Sequence, residues 1–249
     1  MSEYGSRIIS ANGSRQVDNK RMIPQLIADV WCGSFPAYDW EAQDGWIYRG
    51  WNIQTPQVAI QRPHVMFFSL PKTQGEVYFN GASAIFRPGV YVEPPKLYYF
   101  ALDYVSYGNE RYGRRTWGPT GQLLYDSGNR HLTIDQVFTN LNHSMIWTGD
   151  HRVEMYLNGF GSPKGYIPES PAISTDQCEL VARWGNKSEI GEATAKMFYR
   201  FSGNQLQSIF CRDTYDYVEG TTSRNPYNHV ALPAQPRTVM VIDRLQHDV

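Results

Sequence analysis

Four tryptophans, Trp31, Trp40, Trp46 and Trp51, fall in one short stretch with Asp39, Glu41 and Asp44. Indoles stack on the apolar faces of sugar rings, and two carboxylates a few ångströms apart can work as the acid and nucleophile of glycoside cleavage. The stretch therefore has the residue types of a sugar subsite. It also has the composition of a tryptophan-stabilised loop packed on a sheet, and this blander reading is the one the composition favours. Tyr215, Tyr217 and Tyr227 make a second set of candidate stacking or interface rings.

Other chemistry finds less support. A serine hydrolase elbow needs Gly-x-Ser-x-Gly, which does not occur, and neither Cys32 nor Cys211 has a histidine near it in sequence. Both read as structural thiols. His131, His143 and His151 lie among Asp126, Asp135 and Asp150, but their spacing is not that of the tight histidine pairs that hold zinc. Gly159-Phe-Gly161-Ser-Pro-Lys164-Gly165 lacks the Gly-Lys-Ser/Thr ending of a phosphate loop, and ordinary turn chemistry explains it. The expectation is a protein with no catalytic residues, no cofactor and no metal, one that binds and is assembled.

The elements that would position such surfaces are strands. Of the 249 residues, 14% are aromatic, and they are joined by 21 Gly and 15 Pro. Aromatic side chains suit a pleated, half-buried surface, whereas Gly and Pro supply turns and interrupt helices. A net charge of −1 without a basic cluster argues against a nucleic-acid partner. No apolar run approaches the roughly 18 residues of a spanning helix, so no membrane span is expected, and Met1 to Gly5 does not open a signal peptide. Three dispersed cysteines, Cys32, Cys178 and Cys211, fit free thiols made in a reducing cytoplasm.

Self-similarity organises the chain. Tyr4-Gly5 is followed by Gly13, Asp18 and Arg21, and Tyr112-Gly113 is followed by Gly121, Asp126 and Arg130. The Gly and Asp offsets are identical in the two copies, and Arg130 follows a one-residue insertion. Each segment reads as a hairpin turning at Asn12-Gly13 or Thr120-Gly121. Apolar strands that end on Asp, Leu97 to Asp103 and Arg237 to Asp243, close two units, 1–106 and 107–249. The fold class expected is all-β: a tandem duplication of two related β-sandwich-like units with long ordered loops.

Within the first unit, strands are expected at 57–61, 65–70, 76–80, 83–87 and 89–93. In the second they are expected at 144–148, 152–158, 179–184, 195–201 and 206–212. Short helical turns are expected near 133–141 and 189–196. The stretches 31–51 and 214–236 are expected as long ordered loops.

The repeated Tyr-Gly-x-Arg, Gly-turn and Asp signature resembles the opening of a group of tailed-bacteriophage minor tail or tail-tip proteins. Tyr112 to Leu132 is the better copy and Tyr4 to Ile23 the more diverged. Two departures stand out: Ser6-Arg7 and Arg114-Arg115 replace the usual apolar residues, and the second copy carries Trp117-Gly-Pro in its strand. The resemblance implies a structural virion component, made in the host cytoplasm and carried in the tail. Its partners would be other tail proteins and further copies of itself, three or six around the tail axis. It brings no catalytic residues. The alternative is a carbohydrate-binding module for a bacterial surface glycan.

Overall fold

A computed structural model of the protein describes residues 8–9, 16–17, 22–41, 47–70, 77–79, 83–86, 94–107, 113–141, 147–148, 152–153, 157–174, 179–186, 189–217 and 237–247. Strands β1 (Ile8–Ile9) and β2 (Gln16–Val17) are followed by β3 (Gln25–Trp31), β4 (Ala37–Glu41) and β5 (Ile47–Asn52). A single helical turn, α1 (Gln57–Ile60), leads to β6 (His64–Ser69), β7 (Val77–Phe79), β8 (Ser83–Phe86) and β9 (Lys96–Ala101). Next come β10 (Arg115–Trp117), β11 (Leu123–Asp126), β12 (Gln136–Leu141), β13 (Trp147–Thr148), β14 (Arg152–Val153) and β15 (Leu157–Gly161). The chain finishes with β16 (Pro171–Ser174), β17 (Glu179–Asn186), β18 (Glu189–Ser202), β19 (Gln205–Tyr217) and β20 (Arg237–Asp243). The fold is all-β, and no described helix is long and apolar enough to cross a membrane.

Two large antiparallel sheets carry the architecture. One has six strands in the order β12-β20-β16-β6-β9-β3. The other has eight, in the order β15-β19-β18-β7-β8-β5-β4, with β17 also paired to β18. The position 106/107 divides the chain but not the sheets. In the first sheet β16 of the later half pairs with β6 of the earlier half, and in the second β18 pairs with β7.

The main core lies between the sheets. Phe68, Leu97, Tyr99, Phe138, Ile173, Val239 and Val241 of the six-stranded sheet share one buried cluster with Trp51, Tyr199, Phe201 and Leu206 of the other. Each such side chain removed from water contributes about 1.5–3 kcal/mol before ordering costs. The interior strand β9 is buried on both faces: its alternate residues Tyr98 and Phe100 enter a second cluster with Phe67, Ala172 and Ile242. A continuous apolar run of this length is the signature of a strand covered from both sides. Leu132 and the His247 ring, 5.1 Å from that of Phe100, pack on this second face.

Several sequence expectations are corrected. Residues 133–141 and 189–196 are not helical. Gln136 and Phe138 are buried while Val137 and Thr139 are exposed, a period of two, and β18 is paired to β17 and β19, which overrides the helix preference of its Glu and Ala residues. The stretch 31–51 is not a long loop but the end of β3 and a hairpin, β4 with β5, in which Ala37 faces Trp51. Residues 57–61 are not a strand, because Pro56, at φ −57, starts α1 there. β19 runs on to Tyr217, into the stretch expected to be a loop from 214, and the strand expected at 89–93 lies outside the described residues.

Candidate functional site

The second hairpin is the most completely described copy of the repeated signature. Thr120-Gly121 makes its turn, with Gly121 at φ +83, a left-handed conformation that favours glycine, and the Gly118 amide donates to the Gln122 carbonyl at 2.8 Å. Gly113 is required for a different reason. A Cβ there would stand 2.6 Å from Ser127 Oγ, which accepts from the Arg114 amide at 2.7 Å.

Asp126 is the organising residue. Its carboxylate is 3% exposed and accepts from Arg115 Nε at 2.7 Å and from the Gly128 amide at 3.0 Å. Its carbonyl accepts from the Asn129 amide at 3.0 Å and lies 2.6 Å from His131 Nε2. The His131 ring in turn stacks on Tyr125, with centroids 4.5 Å apart. Arg130 Nη1 donates to the His247 carbonyl at 2.5 Å, fastening the C-terminal turn to the end of the hairpin. Gly113, Gly121, Asp126 and Arg130, the described signature residues of this copy, thus fix a turn and a docking point.

The earlier copy is described only in its ladder. Ile8 pairs with Val17, and shifting Tyr4 onto Tyr112 carries these two onto Thr116 and Tyr125, which also pair. Tyr4, Gly5, Gly13, Asp18 and Tyr112 lie outside the described residues.

The candidate contact rings separate. Trp51 is 6% exposed inside the main core, so it is corrected from a contact residue to a packing one. Trp31 is 54% exposed at the end of β3. Trp40 sits opposite Tyr48 in the β4–β5 ladder, and Tyr215 and Tyr217 sit opposite Ala193 and Gly191 in β19. Trp46 and Tyr227 lie outside the described residues. Asp39 is paired with Arg49 at 3.1 Å on the surface, and Asp44 is outside the described residues.

Sequence reasoning missed a further set. Tyr107 and Trp117 are 64% and 47% exposed, with the Arg115 guanidinium 5.4 Å from the Tyr107 ring centroid. Arg115, Thr116 and Trp117 alternate out, in, out, a pattern present in the sequence but hidden by reading Trp117-Gly-Pro as a departure. Tyr166, 46% exposed, belongs to a polar clamp in which its hydroxyl and Lys164 Nζ each reach Asp135 Oδ1 at 3.1 Å. Burial works against the Lys164 ammonium, but the hydrogen bond and charge of Asp135 outweigh it and hold its pKa above the usual lysine value.

For nucleophilic chemistry the arrangement is poor. Cys32 is fully buried, and burial pushes its thiol up to about 12, far from the thiolate a nucleophile requires. Among the described residues no three His, Cys, Asp or Glu side chains converge as metal ligands, and His143, His151 and Asp150 are outside them. No family model matches the chain, and no curated protein or solved structure matches it.

Proposed function

We propose that the chain is a structural component of a bacteriophage tail, a minor tail, tail-tip or fibre-base protein that acts through protein–protein assembly without catalysis. The observation that carries this reading is a shared cross-strand pair in the two signature hairpins, Ile8 with Val17 and Thr116 with Tyr125, where the sequence resembles tail proteins; beyond it a register shift in the second copy sets Trp117 opposite Leu123, whereas Ile9 stands opposite Gln16. We further infer a tandem duplication. Supporting it, β9 lies between β3 and β6 as β20 lies between β12 and β16, and Gln25 faces Ala101 as Gln136 faces Val241.

The Tyr107–Arg115–Trp117 surface supplies an assembly contact, because exposed Trp, Tyr and Arg are the residue types that carry binding energy at protein interfaces. Copies of the chain would surround the tail axis as a trimer or hexamer beside other tail proteins. Light scattering on the purified chain tests this. A trimeric or hexameric mass that falls in Trp117→Ala is expected, and a monomeric mass at every concentration overturns the reading. Recognition of a bacterial surface glycan is the second reading, favoured by the presentation of Trp31.

A further inference from the structure

Trp31 is held in an unusual way for a surface indole. Its six-membered ring folds back over the turn that follows β3, and a Cβ on Gly33 would lie 2.5 Å from Cζ2 and 2.8 Å from Cη2. The ring is therefore seated directly on glycine backbone, yet 54% of the residue stays in solvent. One side of the aromatic system is supported and the remainder is presented. A rigid, half-exposed ring costs little ordering entropy when a flat apolar surface settles on it.

The polar groups beside it are equally specific. Lys96 is the direct cross-strand partner of Trp31, and its Nζ meets Asp29 Oδ2 at 2.6 Å. Asp29 and Trp31, two residues apart on β3, share one face of the sheet. Both charged side chains retain exposure, 37% for Asp29 and 24% for Lys96. The ring thus adjoins a carboxylate and an ammonium, groups that hydrogen-bond to hydroxyls.

We infer that Trp31, Asp29 and Lys96 form a subsite for an uncharged hexopyranose unit of a polysaccharide. The sugar's face of C–H bonds lies on the indole, and adjacent hydroxyls divide between the two charges: one donates to the carboxylate, the next accepts from the ammonium. The neutral sum of the pair favours a neutral sugar over a uronic acid. Gly33 is a positioning residue, since any side chain there displaces the ring. This rests on the glycan reading and is independent of the assembly reading.

The test is fluorine NMR on protein carrying fluorinated tryptophan at its 7 Trp positions, with the Trp31 resonance assigned by its disappearance in Trp31→Phe. Cellotetraose and chitotetraose are titrated to about 10 mM, above the millimolar Kd that one stacked ring with two polar contacts supports. A saturable shift of the Trp31 resonance is expected, weakened about tenfold by Asp29→Asn or Lys96→Gln, each of which removes one charged hydrogen bond. Gly33→Ala should weaken it as well, with the other tryptophan resonances in place as evidence of an intact fold. A saturable shift at another tryptophan with Trp31 unmoved overturns this subsite and leaves the glycan reading standing. No shift at any tryptophan overturns both, and a Trp31 response that survives all three substitutions overturns the assignment of the site.

Discussion

Arg115 and Asp126 face each other across the β10–β11 ladder with Nε and Oδ2 2.7 Å apart, the carboxylate 3% exposed and the guanidinium side chain 36% exposed. The pair is thus anchored at its acidic end and wet at its basic end. Asp126→Ala removes acceptors from both Arg115 and Gly128 and should destabilise the fold by about 2 kcal/mol, less than a pair buried at both ends. Arg115→Ala should cost more than an ordinary surface change, since it leaves a carboxylate in the interior with one partner fewer. Urea midpoints measure both, and an Asp126→Ala midpoint equal to the parent's would refute the organising role.

Gly121 isolates conformational cost from steric cost. Its φ is +83 and a Cβ there would meet nothing within 4 Å. Gly121→Ala should therefore lose about 1 kcal/mol through the left-handed backbone alone. Gly113→Ala must instead displace Ser127 Oγ and its bond to the Arg114 amide. Pairing it with Ser127→Ala should recover part of the loss, whereas Gly121→Ala should gain nothing from that second change.

Trp31 and Trp51 should respond very differently to truncation. Trp51→Ala opens a void in the core and should cost about 3–5 kcal/mol. Trp31→Ala removes a half-exposed ring and should stay within about 0.5 kcal/mol of the parent. Thermal melts of the two variants decide it; similar losses would mean that Trp31 is packing too.

Alkaline pH should weaken the fold by a definite route. Burial raises Cys32 from 9.0 to about 12 and Tyr99 from 10.0 to about 12. Above 9.0 the unfolded thiol releases its proton while the folded one keeps it, so stability is full below that value and falls as pH climbs towards about 12. Chemical denaturation across this window should show a shallower fall in Cys32→Ala than in the parent. An unchanged slope would show that the thiol does not contribute.

Much of this was legible where geometry is local. Thr120-Gly121 needs a residue that tolerates positive φ, and Asp126 closes a turn within three residues of itself, so the second hairpin could be read from sequence directly. The closing strands were legible as well, because Leu97 to Leu102 and Val239 to Ile242 are apolar runs each followed by Asp. What resisted reading depends on partners distant in the chain. The strand at Pro171–Ser174 carries too short a pattern, and only its pairing with β6 and β20 makes it one. Trp31 and Trp51 look alike in sequence; one ring lies on Gly33 and the other enters the interior, a difference set by how β3 and β5 meet their separate sheets.

The seams at β6–β16 and β7–β18 join the two halves of the polypeptide strand to strand. Each half offers an open edge that the other caps, while the backbone passes between them just once, beyond Tyr107. A protease that nicked that passage would sever one covalent link and leave every described ladder intact. The two fragments should then remain clasped as a split protein held by the hydrogen bonds and apolar contacts of its own seams.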